Sequence, residues 1–249
     1  MDYRDQNPMS YSVREQGAAA YDPGLRAYML TVYNLMASAL ALTGITAYAG
    51  AYWQPLRDAL YTVSEGHVAL SGLGWVALIA PLIMVFVLSA GINKMSVAAA
   101  QATFWAYAGI MGLSLSSVFF VYTGESIVRV FFITAIMFGG VSIWGYATKR
   151  DLTGMGHFLY MGLWGIIIAS IVNLFLHSSG LQFAVSVIAV VVFTGLTAYD
   201  TQKIKNFYYQ MAGGSEMAAK FAIMGALTLY LDFINLFLYM LRFMGDRRN

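Results

Sequence analysis

The sequence predicts an all-α membrane protein with seven transmembrane helices, and three observations carry this prediction. The chain of 249 residues is 59% hydrophobic and only 10% charged, whereas a soluble globular domain carries about 25% charged residues. Its apolar stretches reach about 20 residues, the length that crosses roughly 30 Å of hydrocarbon. These stretches lack the alternation of a transmembrane β-barrel, so helices must satisfy the hydrogen bonds of the lipid-facing backbone.

The chain divides into a polar tail and a membrane domain. Residues 1–25 are polar, so we expect a loosely ordered tail. They also lack the basic start and apolar core of a cleaved signal peptide. Pro23 and Gly24 mark the boundary with the first span. Residues 26–249 form the domain, with no room for an extramembrane unit. The predicted helices cover residues 26–48, 72–92, 97–122, 127–148, 157–177, 181–208 and 217–243.

The distribution of basic residues predicts that the tail is cytoplasmic, by the positive-inside rule. The tail and the even-numbered loops hold Arg4, Arg14, Arg26, Lys94, Lys149, Arg150, Lys203, Lys205 and Lys220. The odd-numbered loops hold only Arg57 and Arg129. Seven spans then place the C-terminus outside, although Arg242, Arg247 and Arg248 favour the inside, which a re-entrant hairpin would allow.

Charge and composition also exclude several kinds of binding and chemistry. The formal net charge is only +2 and the basic residues cluster at the ends of apolar runs, so we expect no nucleic-acid binding. The chain has no cysteine, which excludes disulfides, thiolate metal sites and cysteine nucleophiles. The lipid bilayer is the partner that the composition does predict.

Two aspartates within apolar spans are the candidate functional groups. An ionisable group at a helix centre costs about 2.5 to 3.5 kcal/mol on insertion scales. Asp232 has no basic neighbour within residues 222–241, whereas Asp200 ends an apolar run and precedes Lys203. At 1.5 Å per residue, Asp200 lies about 15 Å from the end of the sixth helix and Asp232 about 22 Å from the start of the seventh. These depths allow the two carboxyl groups to meet on adjacent antiparallel helices.

Polar stripes on several helices predict a polar interior that could conduct ions. Helical spacing places Thr228, Asp232, Asn235 and Tyr239 on one face of the seventh helix. Similar stripes comprise Ser170, Asn173 and His177 on the fifth helix and Thr31, Asn34 and Ser38 on the first. The candidates for lining the site beside the aspartates are Thr228, Asn235, Tyr239, Asn173 and Lys203.

Small residues recur at the spacing of helix contacts. These are Gly109 with Gly112, Gly139 with Gly140, and Gly162 with Gly165. Such positions allow close approach of helices in a membrane, so we expect helix packing there.

Paired carboxyl groups in a low dielectric have a defined chemistry. They resist ionising together and share a proton near neutral pH. Loss of that proton makes them repel each other and frees hard oxygen ligands for a cation such as calcium. Asp200 and Asp232 are therefore a candidate pH sensor and gate with transient calcium binding. Two simpler interpretations remain open: Asp200 pairs with Lys203 at an interfacial helix end, and Asp232 is a neutral structural acid.

Two motifs make the chain resemble the Bax inhibitor-1 family, in its bacterial branch. Residues 197–205 read TAYDTQKIK, and residues 229–237 read LYLDFINLF. Further agreement lies in residues 112–117 (GLSLSS), 134–138 (TAIMF) and 146–152 (YATKRDL). The resemblance covers nearly everything after the tail.

The resemblance implies a seven-helix fold whose last helix is central and surrounded by the other six. It also implies a pH-sensitive calcium leak channel in a bacterial inner membrane, with Asp200 and Asp232 as sensor, calcium as permeant ion and no cofactor. Some bacterial members are associated with a membrane-bound AAA protease as modulators. The chain departs from the channel members at the turn after the second helix, where Asn93-Lys94-Met95 replaces an arginine-rich turn.

Two other functions compete with the channel. An intramembrane aspartyl protease also places aspartates on two adjacent helices, and Tyr199-Asp200 matches one half of its signature. Its Gly-x-Gly-Asp sequence is absent at Asp232, and no Pro-Ala-Leu segment follows, so we expect no enzyme. The stronger alternative is a non-conducting modulator that binds a membrane-anchored AAA protease.

Overall fold

The computed structural model describes residues 22–64, 67–210 and 215–248, and contains seven helices long and apolar enough to cross a membrane. The predicted fold class is therefore confirmed, while the expectation for the polar tail falls mostly on residues 1–21, outside the described ones. The helices are α1 (Pro23–Tyr52), α2 (Gln54–Leu60), α3 (Gly72–Gly91), α4 (Val97–Leu115), α5 (Val118–Val121), α6 (Gly124–Ala147), α7 (Thr153–Leu176), α8 (Ser179–Gln210) and α9 (Ser215–Met244). Strands β1 (Tyr61–Ser64) and β2 (His67–Leu70) form an antiparallel hairpin.

The first span begins three residues before the predicted boundary. The carboxylate of Asp22 accepts hydrogen bonds from the backbone N–H groups of Gly24 at 2.9 Å and Leu25 at 3.0 Å. Aspartate is a favoured N-cap, and proline fits the first helical turn, where its missing N–H is not needed. Pro23 therefore starts the helix instead of preceding it.

The third span is interrupted near its end. The α-helical ladder of α4 stops at Leu115, and α5 continues the span to Val121. The hydroxyl of Ser116 donates to the carbonyl of Leu113 at 2.5 Å and is hydrogen-bonded to the Tyr61 hydroxyl at 2.8 Å. The hairpin that follows α2 is thereby attached to the end of this span.

The last helix is central, as the resemblance implies. Its principal neighbours are α1, α4, α6 and α8, and it is the most buried of the seven spans. The buried hydroxyl of Tyr230 is hydrogen-bonded at 2.7 Å to that of Thr43, which also lies 2.9 Å from the carbonyl of Ala108. The inner ring thus consists of four helices instead of six, because α3 packs mainly on α4 and α7 mainly on α8.

Close helix contacts occur mostly at glycines other than the predicted ones. A Cβ at Gly145 would meet the backbone of Ala198, and one at Gly156 would meet the ring of Tyr199. The predicted close contact is confirmed at Gly112, which lies against Thr43 and Thr46, and at Gly162, where a Cβ would lie 3.0 Å from the side chain of Val192. The prediction is wrong for the glycines that have open space beside them, namely Gly109, Gly139, Gly140 and Gly165.

The two ends of the membrane domain lie on opposite sides of the bundle. Near the start of α1, the ring of Tyr28 packs 5.5 Å from that of Tyr208 at the end of α8. The segment after α9 instead forms a bridge between Arg247 and Tyr122, near the start of α6. This arrangement agrees with seven complete spans and not with a re-entrant hairpin.

Candidate functional site

The structure brings the two predicted aspartates together. Asp200 lies on α8 and Asp232 on α9, and their side chains interact directly with each other. The residues are only 3% and 5% exposed, respectively. The prediction that the two carboxyl groups can meet on adjacent helices is therefore confirmed.

Local packing fixes the elements around this pair. The side-chain oxygen of Gln202 accepts the backbone N–H of Leu152 at 2.9 Å, and its amide donates to the carbonyl of Arg150 at 2.7 Å. These bonds attach the loop before α7 to α8. Gly156 then allows the first turn of α7 to pack on the ring of Tyr199.

Tyr160 on α7 covers the pair and was missed by the sequence analysis. Its hydroxyl donates a hydrogen bond to Oδ1 of Asp200 at 3.4 Å, and its ring packs edge to face against Tyr199 at 6.0 Å. The residue is 37% exposed at the outer surface of the bundle. Its depth, about 10 Å from the start of α7, was the signal that could have identified it.

Lys203 supplies the positive charge nearest to the pair. Its ammonium interacts electrostatically with both carboxyl groups and lies 5.8 Å from the ring centre of Tyr199 and 5.9 Å from that of Phe207. Among the described residues, no ion pair within 4.0 Å joins Lys203 to a carboxylate. An interfacial pair with Lys203 therefore does not account for Asp200, which is buried and faces Asp232.

One oxygen of the pair has no hydrogen-bond partner. Oδ2 of Asp232 is buried and unpartnered, and no other ionisable side chain in residues 22–64, 67–210 and 215–248 has such an atom. Burying an unpaired polar atom costs free energy, and burying an unpaired charge costs much more. A proton shared by the two carboxyl groups would satisfy this atom.

The two carboxyl groups alone supply too few oxygens for the full coordination of a calcium ion. Calcium takes about six to eight oxygen ligands, whereas two carboxylates supply four oxygens. In the described part of the chain, no group of three or more histidine and acidic side chains could hold a metal ion. The remaining ligands of a calcium ion at Asp200 and Asp232 would have to be water or neutral oxygens such as backbone carbonyls.

Of the other predicted lining residues, Asn173 lies far from the pair, whereas Thr228, Asn235 and Tyr239 have contacts of their own. The donors of Thr228 and Asn235 bind carbonyls of their own helix, at 3.0 and 2.8 Å. Tyr239 stacks on Phe193, with ring centres 5.8 Å apart. Asn173 does not line the site: its side-chain oxygen accepts the backbone N–H of Ser178 at 3.0 Å at the far end of α7. That position is about 20 Å along the helix from Tyr160.

A second polar network occupies the neighbouring face of α8. The hydroxyl of Ser142 on α6 is hydrogen-bonded to Tyr33 of α1 at 2.6 Å and to Thr201 at 2.8 Å. Thr201 in turn donates to the carbonyl of Thr197 at 2.7 Å. This network joins three helices one residue away from Asp200.

Fold and site together define a multi-pass α-helical membrane protein with a buried carboxyl pair between its last two helices. Residues 25–249 match the family described as inhibitor of apoptosis-promoting Bax1. The chain belongs to this family, the Bax inhibitor-1 family, as the motifs around Asp200 and Asp232 predict.

Bacterial relatives are similar over nearly their whole length. An inner membrane protein of Escherichia coli, YbhL, is 46% identical over 98% of this chain and 100% of its own. An uncharacterized protein of Rickettsia prowazekii is 51% identical over 92% of this chain and 93% of its own. An uncharacterized membrane protein of Streptococcus pyogenes is 34% identical over 90% of this chain and 94% of its own. None of these three names denotes an enzyme.

Proposed function

We propose that this protein is a pH-sensitive, calcium-permeable leak channel of a bacterial inner membrane, with its N-terminus in the cytoplasm. The observation that carries the proposal is the direct interaction of the Asp200 and Asp232 side chains, which are buried between α8 and α9. A buried carboxyl pair whose energy depends on one proton is a natural switch, because loss of that proton changes attraction into repulsion.

The switch has a defined closed form. With one proton shared, the pair carries a single negative charge, which Lys203 faces, and the Tyr160 hydroxyl donates to Asp200. The carboxyl groups then hold α8 and α9 together. This form predominates at the acidic end of the pH range.

The open form follows from deprotonation. Two carboxylates in contact repel each other, and one ammonium cannot neutralise both. Their separation loosens the contact between α8 and α9 and exposes oxygens that attract a calcium ion. Calcium flux is therefore expected to rise with pH, because higher pH removes the proton.

Calcium entry into dye-loaded liposomes tests the proposal. Purified protein is reconstituted, and the initial rate is measured between about pH 6 and 8 for the wild type, Asp200→Asn and Asp232→Asn. Asparagine is neutral at every pH, so each variant is expected to give a low rate that no longer varies with pH. Empty liposomes give the background rate.

Asp151→Asn is the matched control. The side-chain hydroxyl and backbone N–H of Thr153 donate to Asp151 and lower the pKa of this exposed carboxyl. Asp151 therefore stays ionised throughout the range, and its replacement is expected to leave the pH response unchanged.

The remaining outcomes separate the alternatives. If the flux of the wild type rises on acidification while that of both asparagine variants does not vary with pH, the pair is still the sensor. Opening by repulsion between the carboxylates would then be rejected. Equal fluxes with and without protein would reject the channel and favour modulation of a membrane-anchored AAA protease. That role is tested by deleting residues 1–21, which leaves the Asp22 cap of α1 intact.

A further inference from the structure

A deep groove runs along the side of the bundle between α1 and α6. α1 packs mainly on α4 and α9, and α6 packs mainly on α8 and α9, so the two helices have little contact with each other and leave a cavity of about 1590 Å³ open at the surface. The hydrogen bond between Tyr33 and Ser142 crosses its floor, where Phe233 of α9 is also exposed to the cavity.

The mouth of the groove carries an excess of positive charge. Its cations are Arg26, Lys149, Arg150 and Lys205, and its carboxylates are Asp22 and Asp151. Each carboxylate already accepts backbone N–H groups, Asp22 at the start of α1 and Asp151 from Thr153. The mouth therefore favours an anion.

The cations are held in place by the fold. The ammonium of Lys205 donates to the carbonyl of Tyr146 at 2.6 Å, which uses one of its three donors. Gln202 fixes the loop that carries Lys149 and Arg150 through the carbonyl of Arg150. An anionic group at the mouth would thus meet cations from the loop after α6 and from α8.

The interior of the groove is apolar and long. Its deeper walls consist mainly of Met36, Leu40 and Gly44 on α1 and of Phe131 and Ala135 on α6. From Arg26 to Gly44 the helix rises about 27 Å, whereas one leaflet of hydrocarbon is only about 15 Å thick. An acyl chain extending from the mouth fits within this length.

Open space beside two glycines makes the groove wide enough to accept such a chain. A Cβ at Gly44 or Gly139, on opposite walls, would meet no other atom within 4 Å. Larger side chains at these positions would fill the groove.

We propose that this groove binds one anionic phospholipid, with its phosphate among the cations at the mouth and an acyl chain between α1 and α6. The occupant follows from the combination of a net positive mouth and an apolar interior open to the bilayer. The proposal is independent of ion conduction, because the groove lies between α1 and α6, whereas Tyr160 covers the carboxyl pair from α7.

Native mass spectrometry of the full chain in detergent tests this proposal. The protein is titrated with phosphatidylglycerol and with phosphatidylcholine of the same acyl chains. The wild type is expected to retain one phosphatidylglycerol in preference to phosphatidylcholine. Gly139→Phe is expected to lose the bound lipid, whereas Gly140→Phe keeps it, because Gly140 also has open space but does not line the groove.

A charge variant tests the mouth separately. Replacing Lys149 and Arg150 by glutamine is expected to weaken phosphatidylglycerol binding by roughly fivefold per removed charge, with little effect on phosphatidylcholine. Lys94→Gln is the control, since Lys94 is exposed in a loop at the same end of the bundle but outside the groove.

Three results would overturn the proposal: equal retention of the two lipids by the wild type, equal loss in Gly139→Phe and Gly140→Phe, or an equal effect of Lys94→Gln. The first would identify ordinary surface lipid. Circular dichroism and size-exclusion chromatography establish that each variant is folded. If Gly139→Phe does not fold, Gly44→Phe applies the same test from the opposite wall.

Discussion

Consecutive residues of α8 enter two polar networks with opposite properties. The hydroxyl of Thr201 donates to the carbonyl of Thr197 and is hydrogen-bonded to Ser142, which is bonded in turn to Tyr33, and each of these three hydroxyls has a partner within 2.8 Å. Asp200, one residue earlier, belongs to a network with an unpartnered buried oxygen on Asp232 and a long hydrogen bond of 3.4 Å.

This difference favours a structural role for the hydroxyl network and agrees with the switching role that we propose for the carboxyl pair. A network of hydroxyl groups whose hydrogen bonds are all made has no group that titrates near neutral pH. A change of pH therefore does not favour its rearrangement. A carboxyl pair with an unpartnered oxygen is costly in a low dielectric, and its energy changes with each proton. If the pair acts as proposed, the same helix carries a fixed contact to α1 and α6 and a pH-dependent contact to α9.

The largest expected effect is loss of the pH response when both aspartates are replaced. One shared proton can change the flux by at most about tenfold per pH unit. The plot of calcium flux against pH for the double variant Asp200→Asn/Asp232→Asn is expected to be no flatter than the plot for either single variant, because the two residues titrate as one unit. Liposome flux measured for all four proteins tests this. Additive losses in the single variants would mean that the carboxyl groups act independently.

A smaller effect is expected from Tyr160→Phe, which removes the hydroxyl that donates to Asp200. That hydrogen bond stabilises the ionised carboxylate, so its loss moves the midpoint of the flux response to higher pH. The bond is long, and a shift of about half a pH unit corresponds to roughly 0.7 kcal/mol.

Tyr199→Phe is the matched control for this shift. Tyr199 packs against Tyr160 but donates no hydrogen bond to either aspartate in the described structure. A midpoint that moves equally in both variants would attribute the effect to ring packing instead of to the hydroxyl.

Sequence alone predicted the parts of the fold and site that depend on local patterns. The length of the apolar stretches located all seven spans, and the calculated depths along the helices allowed Asp200 and Asp232 to meet. Both quantities follow from helix geometry. Side-chain partners across helices depend on helix rotation and packing, which one sequence does not specify. Asn173 was therefore assigned to the site and Tyr160 was missed.

The satisfied network is expected to affect stability and not pH dependence. Ser142→Ala removes the hydroxyl between Tyr33 and Thr201, and hydrogen bonds between membrane helices contribute about 0.6 kcal/mol on average, with a maximum near 1.7. Because the Tyr33 hydroxyl also loses its partner, we expect the free energy of unfolding to fall by about 1 kcal/mol. Reversible unfolding in mixed micelles measures this. A changed pH response of the calcium flux would contradict the division into two networks.

The smallest effect is expected at the surface, where Arg129 of α6 pairs with Asp246 after α9 at 2.8 Å. Both side chains are about half exposed or more, and exposed pairs contribute only about 0 to 1 kcal/mol, less at high salt. Arg129→Gln is therefore expected to lower the free energy of unfolding by less than Ser142→Ala does. The backbone bonds from Thr123 to Asp246 and from Arg248 to Val121 keep the C-terminal segment in place without the pair. Both variants are measured in the same micelles. A loss of stability in Arg129→Gln that exceeds the loss in Ser142→Ala would show that the ion pair contributes more than the buried hydrogen bonds to holding α6 in place.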